Sequence, residues 1–429
     1  MVIQNRTNKF LLDWPIVLTY TILVIFGYFN ILSASSGLEF VSYFDISKPF
    51  GKQLVFIGIS LILIFFILAI ESKFYERFAS IIYILSIISL IGLFIFGKKV
   101  NGALSWYEIG EFTIQPSEFA KFATTLGLAK YISDLQTNIK ELGDQIRASV
   151  IILVPSILIL LQNDTGTTIT FMALIFILYR EGIPQKYILI GFTFLLVSII
   201  TLKFSALSTC SAICIIAIIY QFFIKLKKRK IGITIAVIIV TSCVSFTTEW
   251  GYDNILQKHH QDRIGLWLRL ENDPVKLKAM KRNISYNLNE SEKAISAGGV
   301  FGKGFNEGTR TKGKFVPEQH TDYIFSTVAE EWGFFGSSLV VILFMFLIIR
   351  IIMLSEQNKS QFNRIYGYGV ASIIFIHFLI NIGMVMGLIP TIGIPLPFFS
   401  YGGSGLIGFT ILIFIFLKLN ACRLNSWNN

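Results

Sequence analysis

Apolar runs of membrane-spanning length recur along this 429-residue chain, and they leave few folds open to it. A helix needs about 20 mostly apolar residues to cross the hydrocarbon core of a bilayer. Such runs lie near 15–35, 50–70, 77–97, 118–133, 148–163, 166–179, 187–204, 206–224, 231–248, 323–352, 366–388 and 402–419. Several are shorter than ideal, and the two that flank Asn163-Asp164-Thr165-Gly166 read equally well as one broken helix. The predicted fold is all-α: a polytopic membrane helix bundle of about 10–12 transmembrane helices with one large extracytoplasmic loop. Composition agrees. Charged residues make up 15% of the chain and mean hydropathy is +0.66, against about 25% charged residues in a soluble domain.

The formal charge of +11 raises the question of nucleic acid. The basic residues are spread over loops and form no nucleic-acid-binding motif, so membrane lipid explains them better. Lys and Arg collect in cytoplasmic loops. Placing Arg6 and Lys9 in the cytoplasm puts Lys73 and Arg77, Lys140 and Arg147, Arg180 and Lys186, the KLKKRK run at 225–230, Lys359 and Arg364, and Lys418 and Arg423 on the same side. The short opposite loops are poorer in charge, and the long polar segment 249–322 then faces outward. The basic N-terminus has no small-residue cleavage site, so it reads as a retained first span. Cys210, Cys214, Cys243 and Cys422 lie in or beside apolar runs without zinc-ligand spacing, which argues against disulfides and metal clusters. The GGVFGKG run lacks Walker-loop spacing. No internal repeat and no second soluble domain is visible, so 1–429 is expected to form a single membrane domain.

Four stretches concentrate the polar chemistry. In NGALSWYEIGEFTIQPSEFAK, Pro116 suits a first helical turn. Glu118 then sits near a positive helix end with Lys121 one turn on, on the same face. Charges entering a span are costly and usually functional. The pair is therefore expected to face the bundle interior, so that losing Lys121 costs activity and little stability. A capped helix with a solvated ion pair is the alternative. Around Asp164, QNDTGT reads as a tight two-helix turn, with Asp164 as a further cavity-lining group. Pro390, Pro395 and Pro397 exclude a continuous helix in NIGMVMGLIPTIGIPLPFFSYGGS. That segment reads as a re-entrant or outer-face loop sealing the bundle, or as a ligand contact through Tyr401. The segment 249–322 gathers His259, His260 and His320, an Asp273-Pro274 step, four closely spaced glycines and many Lys and Arg residues.

Together these segments resemble the SEDS family (shape, elongation, division and sporulation), with AISAGGVFGKGFNEGTRTKGKFVPEQHTDYIFSTVAEEWGFFGS as the longest match. Three departures stand out. Val275–Ile284 lengthens the interval after Asp273-Pro274, Ser285-Tyr286 and Glu290-Ser291 replace Gly-Tyr and Gln-Ser, and QNDTGT replaces Gln-Pro-Asp-Leu-Gly-Thr. Two spans near 187–248 are additional to the usual ten.

The resemblance implies a peptidoglycan glycosyltransferase of the bacterial inner membrane. It would polymerise lipid II for elongation and rod shape, beside a class B penicillin-binding protein transpeptidase and the elongation machinery. The termini would be cytoplasmic and the 249–322 loop periplasmic, carrying the catalytic region. The reaction needs a base for the acceptor hydroxyl and cations for the departing pyrophosphate. The family's essential acid matches Asp273, which as an Asp-Pro step is otherwise a common turn former. Candidates for the pyrophosphate are Arg263, Lys303, Arg310 and Lys312, with Lys121 reaching it from the membrane side and Glu118 beside it in the substrate site. The bland role of the basic residues is a solvated surface facing anionic lipid. Glu318, His320 and Asp322 either bind substrate or cap the next helix. No cofactor is assigned, and a divalent cation is compatible with pyrophosphate chemistry. A lipid II flippase, the septal division paralogue or a purely structural partner would share much of this pattern.

Overall fold

A computed structural model describes residues 12–36, 44–100, 102–110, 112–223, 231–270, 286–317 and 319–425. Among the described residues, ten helices are long and apolar enough to cross a membrane. The chain divides into two compact units, 1–183 with 287–429, and 184–286.

The first unit opens with three apolar helices, α1 (Trp14–Ser36), α2 (Pro49–Ala69) and α3 (Ser72–Phe96). A small antiparallel sheet follows, formed by β1 (Lys98–Val100), β2 (Ala103–Ile109) and β3 (Phe112–Ile114). The sheet is an addition to the all-helical expectation. Gly102 and Gly110 take φ of +88° and +64° and turn the chain between strands. Tyr107 pairs with Ile114 and Ile109 with Phe112, while the Tyr107 hydroxyl donates to Ser89 O at 2.8 Å and ties the sheet to α3.

Next come α4 (Pro116–Ile132), α5 (Leu142–Leu161) and two short helices, α6 (Thr165–Met172) and α7 (Ile175–Arg180). Helix α4 starts where Gln115 is extended and Pro116 occupies the first turn. It has 17 residues and is buried over most of its length, which is how a helix with Glu118 and Lys121 persists in an apolar bundle. The α5–α6 junction is a tight turn with Asn163 at φ +62°. Asp164 caps α6 through Thr167 N (2.9 Å) and accepts from Gln115 Nε2 (3.1 Å), so it links α6 to the start of α4.

The second unit holds α8 (Gln185–Phe204), α9 (Ala206–Phe223), α10 (Ile231–Asn254) and the short α11 (Lys258–Leu268). The exposed faces of α8, α9 and α10 are mostly apolar, as lipid requires. Polar groups pair inward: Ser198 and Thr248 hydroxyls lie 3.0 Å apart, and Lys203 Nζ donates to Leu268 O at 2.5 Å. The region of the two additional spans is thus built as three long helices.

The chain returns to the first unit with α12 (Tyr286–Gly298) and α13 (Thr309–Lys312), then α14 (Ile324–Glu356), α15 (Gln361–Val385) and α16 (Gly403–Asn425). Helix α14 is interrupted at Gly333 (φ 62°, ψ −157°). The 299–304 loop occupies the break. Phe334 N donates to Gly299 O at 3.0 Å, Lys303 N to Glu330 O at 3.1 Å and Gly304 N to Glu331 O at 2.9 Å. Backbone groups released by a kink are satisfied here by a neighbouring segment.

Between α15 and α16, residues 386–402 run without regular helix, yet Ile394, Leu396, Phe398 and Phe399 are buried. This segment plugs the bundle beside α1. A Cβ on Gly27 would stand 2.7 Å from Phe399 Cα and 2.8 Å from Phe399 O, both backbone-fixed positions. Gly27→Val is therefore expected to cost about 1–3 kcal/mol through overpacking. A lowered thermal midpoint in a detergent melt checks this, and a wild-type melt would mean the plug yields freely.

Candidate functional site

Two polar clusters form at the end of the first unit that carries the sheet, the 386–402 plug and the 299–323 turns. The first is the Glu118–Lys121 pair. Its side chains are 5% and 3% exposed, and Lys121 Nζ lies 2.6 Å from Glu118 Oε1. Lys121 Nζ also stands 4.9 Å from the centroid of the Phe409 ring, which makes a cation–π contact from α16. His377, buried on α15, meets the same ring edge-on at 4.9 Å, and its Nδ1 lies 3.2 Å from Pro395 O in the plug. Helix α16 comes this close because Gly408 lacks a side chain: a Cβ there would sit 3.0 Å from Glu118 O. Ser404 Oγ accepts from Gln115 N at 3.0 Å and anchors the first turn of α16 to the start of α4.

The pair faces the interior and not lipid. Burial this complete also changes what its loss should do, because Glu118 would be left charged and unpartnered. The expectation of a nearly silent effect on stability is replaced by a large one. Among the described residues, Glu118 Oε2 and His377 Nε2 have no hydrogen-bond partner.

The second cluster is organised by acids. The Glu330 side chain is 0% exposed and accepts from Lys303 Nζ (2.8 Å), Arg310 N (3.0 Å), Thr311 N (2.9 Å) and Thr311 Oγ (2.8 Å). Glu331, equally buried, accepts from Ser33 of α1. Glu290 on α12 holds the Arg310 guanidinium and, at 2.6 Å, Lys293 Nζ. Lys312 pairs with Glu307 at 3.3 Å.

The two clusters are joined through hydrogen bonds. Gln319 Nε2 donates to Ala34 O (2.7 Å) and Thr311 O (2.9 Å). Tyr401 N donates to His320 O at 2.9 Å, and the His320 and Tyr401 rings stand 5.5 Å apart. Burial pushes the Tyr401 phenol above its ordinary pKa. Asn381 Nδ2 donates to Asp322 O (2.8 Å) and Ile394 O (2.7 Å), which fastens the plug to the turn before α14.

The sequence-predicted residues therefore divide. Glu118 and Lys121 come together as expected, and Lys303, Arg310, Lys312 and His320 share one end of the bundle with them. Lys303 and Arg310 are already engaged by carboxylates, so they anchor the loop before they meet any ligand. Arg263 is half-buried on α11 in the other unit. Asp273 and Glu318 lie outside the described residues. Among the described residues no group of three or more His, Cys, Asp or Glu is arranged to hold a metal ion. Sequence reasoning missed Glu330 and Glu331. Their signal was the one used for Glu118, since both acids stand in the opening turns of an apolar run.

These features define a multi-pass helical membrane protein with two buried clusters of charged groups at one end of its first unit. The chain belongs to the FtsW/RodA/SpoVE family, the SEDS proteins: the family model described as "Cell cycle protein" matches residues 13–209 and 191–424. The peptidoglycan glycosyltransferase RodA of Treponema pallidum is 29% identical, over 96% of this chain and 98% of that protein. The peptidoglycan glycosyltransferase MrdB of Escherichia coli K12 is 30% identical over 84% and 83%. Among solved structures, a chain from a study titled "Structural coordination of polymerization and crosslinking by a peptidoglycan synthase complex" superposes with TM-score 0.70 at 22% identity, covering 96% of this chain and 98% of its own. That likeness concerns the fold.

Proposed function

We propose that this chain is a peptidoglycan glycosyltransferase that polymerises lipid II into glycan strands for cell elongation, releasing undecaprenyl pyrophosphate. The family match along both halves of the chain carries this reading. The acceptor's 4-hydroxyl attacks the anomeric carbon of the lipid-pyrophosphate donor. Asp273 takes the hydroxyl proton as that C–O bond forms and the bond to the pyrophosphate oxygen breaks. Lys121, Arg310, Lys312 and Arg263 are the cations proposed to balance the charge on the leaving group, with Lys303, Glu118, Glu318 and His320 supporting them. A class B penicillin-binding protein is the proposed partner. The family relationship covers a septal division role as well, and positive charge in the loops at the opposite end of the bundle supports placing the site end in the periplasm.

Purified full-length protein incubated with lipid II should yield glycan strands resolved on a gel. A flippase would move lipid II across vesicles and yield none, and that result would end the polymerase reading. Sidedness is separable. In a variant with its native cysteines replaced by serine, Ser296→Cys, at an exposed position of α12, should react with a membrane-impermeant thiol reagent in spheroplasts. Gln136→Cys, exposed between α4 and α5, should react only after lysis. The reverse pattern inverts the topology.

A further inference from the structure

We infer that Glu330 is a positioning residue for this reaction, holding the 303–312 loop so that Arg310 and Lys312 meet the donor's pyrophosphate. The inference rests on the glycosyltransferase reading above and assigns Glu330 no contact with substrate.

The geometry is that of a latch. Glu330 lies on the turn of α14 just before the break at Gly333, with no exposed side-chain surface. Its Oε1 receives Lys303 Nζ, Arg310 N and, at 3.3 Å, Thr309 Oγ; its Oε2 receives Thr311 N and Thr311 Oγ. The backbone reinforces the side chain, because Lys303 N and Gly304 N bond to the carbonyls of Glu330 and Glu331. A buried carboxylate is costly unless such donors surround it. Both ends of the 303–311 stretch are thus pinned to one carboxyl group.

Lys303 is bound to the latch itself, while Arg310 and Lys312 pair with Glu290 and Glu307 and stay partly exposed. Arg310 keeps its side chain 31% exposed and Lys312 30% exposed. Arg310 is held twice, by its own N–H on Glu330 and by its guanidinium on Glu290, while Phe315 stacks 5.7 Å from the guanidinium carbon. A guanidinium fixed at its backbone and one edge still has donors for a phosphate.

The test uses Glu330→Gln in the full-length protein, with lipid II as the probe. The amide keeps an acceptor oxygen and the side-chain shape but cannot serve the Lys303, Arg310 and Thr311 donors together. Expected results are faster tryptic cleavage after Arg310 and Lys312, a lowered but still cooperative melting midpoint because Lys303 loses its charged partner, and a KM for lipid II raised roughly 10- to 100-fold. Unchanged KM in an active, folded variant overturns the inference alone. So does a released loop with wild-type kinetics. Absence of glycan from the wild type instead fails the glycosyltransferase reading. If Glu330→Gln does not accumulate, Thr311→Val removes one donor at nearly constant volume. It should shift KM and cleavage in the same direction, and wild-type values for both overturn the latch.

Discussion

Lys121→Ala is expected to destabilise the protein by about 3–5 kcal/mol, the range for removing one partner of a buried ion pair. The residue is almost fully enclosed, its ammonium lies 2.6 Å from Glu118 Oε1, and Phe409 closes over it. Alanine removes the cation and leaves a carboxylate in the bundle with one oxygen already lacking a partner among the described residues. The variant should accumulate poorly and lose most of its cooperative melt. The double variant Glu118→Gln, Lys121→Met removes both charges at similar volume and should regain most of the lost stability, since neutral replacements of buried pairs are often tolerated. A detergent thermal melt of the two variants beside wild type checks both statements. Wild-type stability in Lys121→Ala would mean that the pair is hydrated and carries little structural weight. On the role proposed for Lys121 at the pyrophosphate, polymerisation by the double variant should stay low.

Much of this site is legible in the sequence. A glutamate and a lysine one turn apart at the opening of an apolar run have few places to go except the bundle interior, and Glu118 and Lys121 went there. Three prolines within eight residues forbade a helix at 390–397, and the chain there forms a buried plug. Other features depend on partners distant in sequence. The break in α14 is invisible in an unbroken apolar run, because it exists only where the 299–304 loop supplies the missing hydrogen bonds. Lys303 and Arg310 could be read as cations near a phosphate, but not as cations already seated on Glu330 and Glu290, 27 and 20 residues away. The sheet of β1–β3 rests on short strands in a polar loop, where alternation extends over too few residues to stand out.

Asp273→Asn is expected to abolish glycan synthesis while leaving the fold intact. Asparagine matches aspartate in shape and hydrogen-bonding reach but cannot accept the acceptor sugar's proton at neutral pH. General-base catalysis contributes about 10²–10⁴-fold in rate, so residual polymerisation should fall to the edge of detection. Binding of lipid II and of the proposed transpeptidase partner should persist, because neither requires proton transfer. The decisive measurement is glycan formed from lipid II by wild type and Asp273→Asn at matched protein levels, with partner pull-down as the control for folding. The account predicts strands from wild type, almost none from the variant, and equal partner recovery. Near-normal synthesis by Asp273→Asn would remove this residue from the mechanism and move the role of base to another acid, Asp262 on α11 being the first to test.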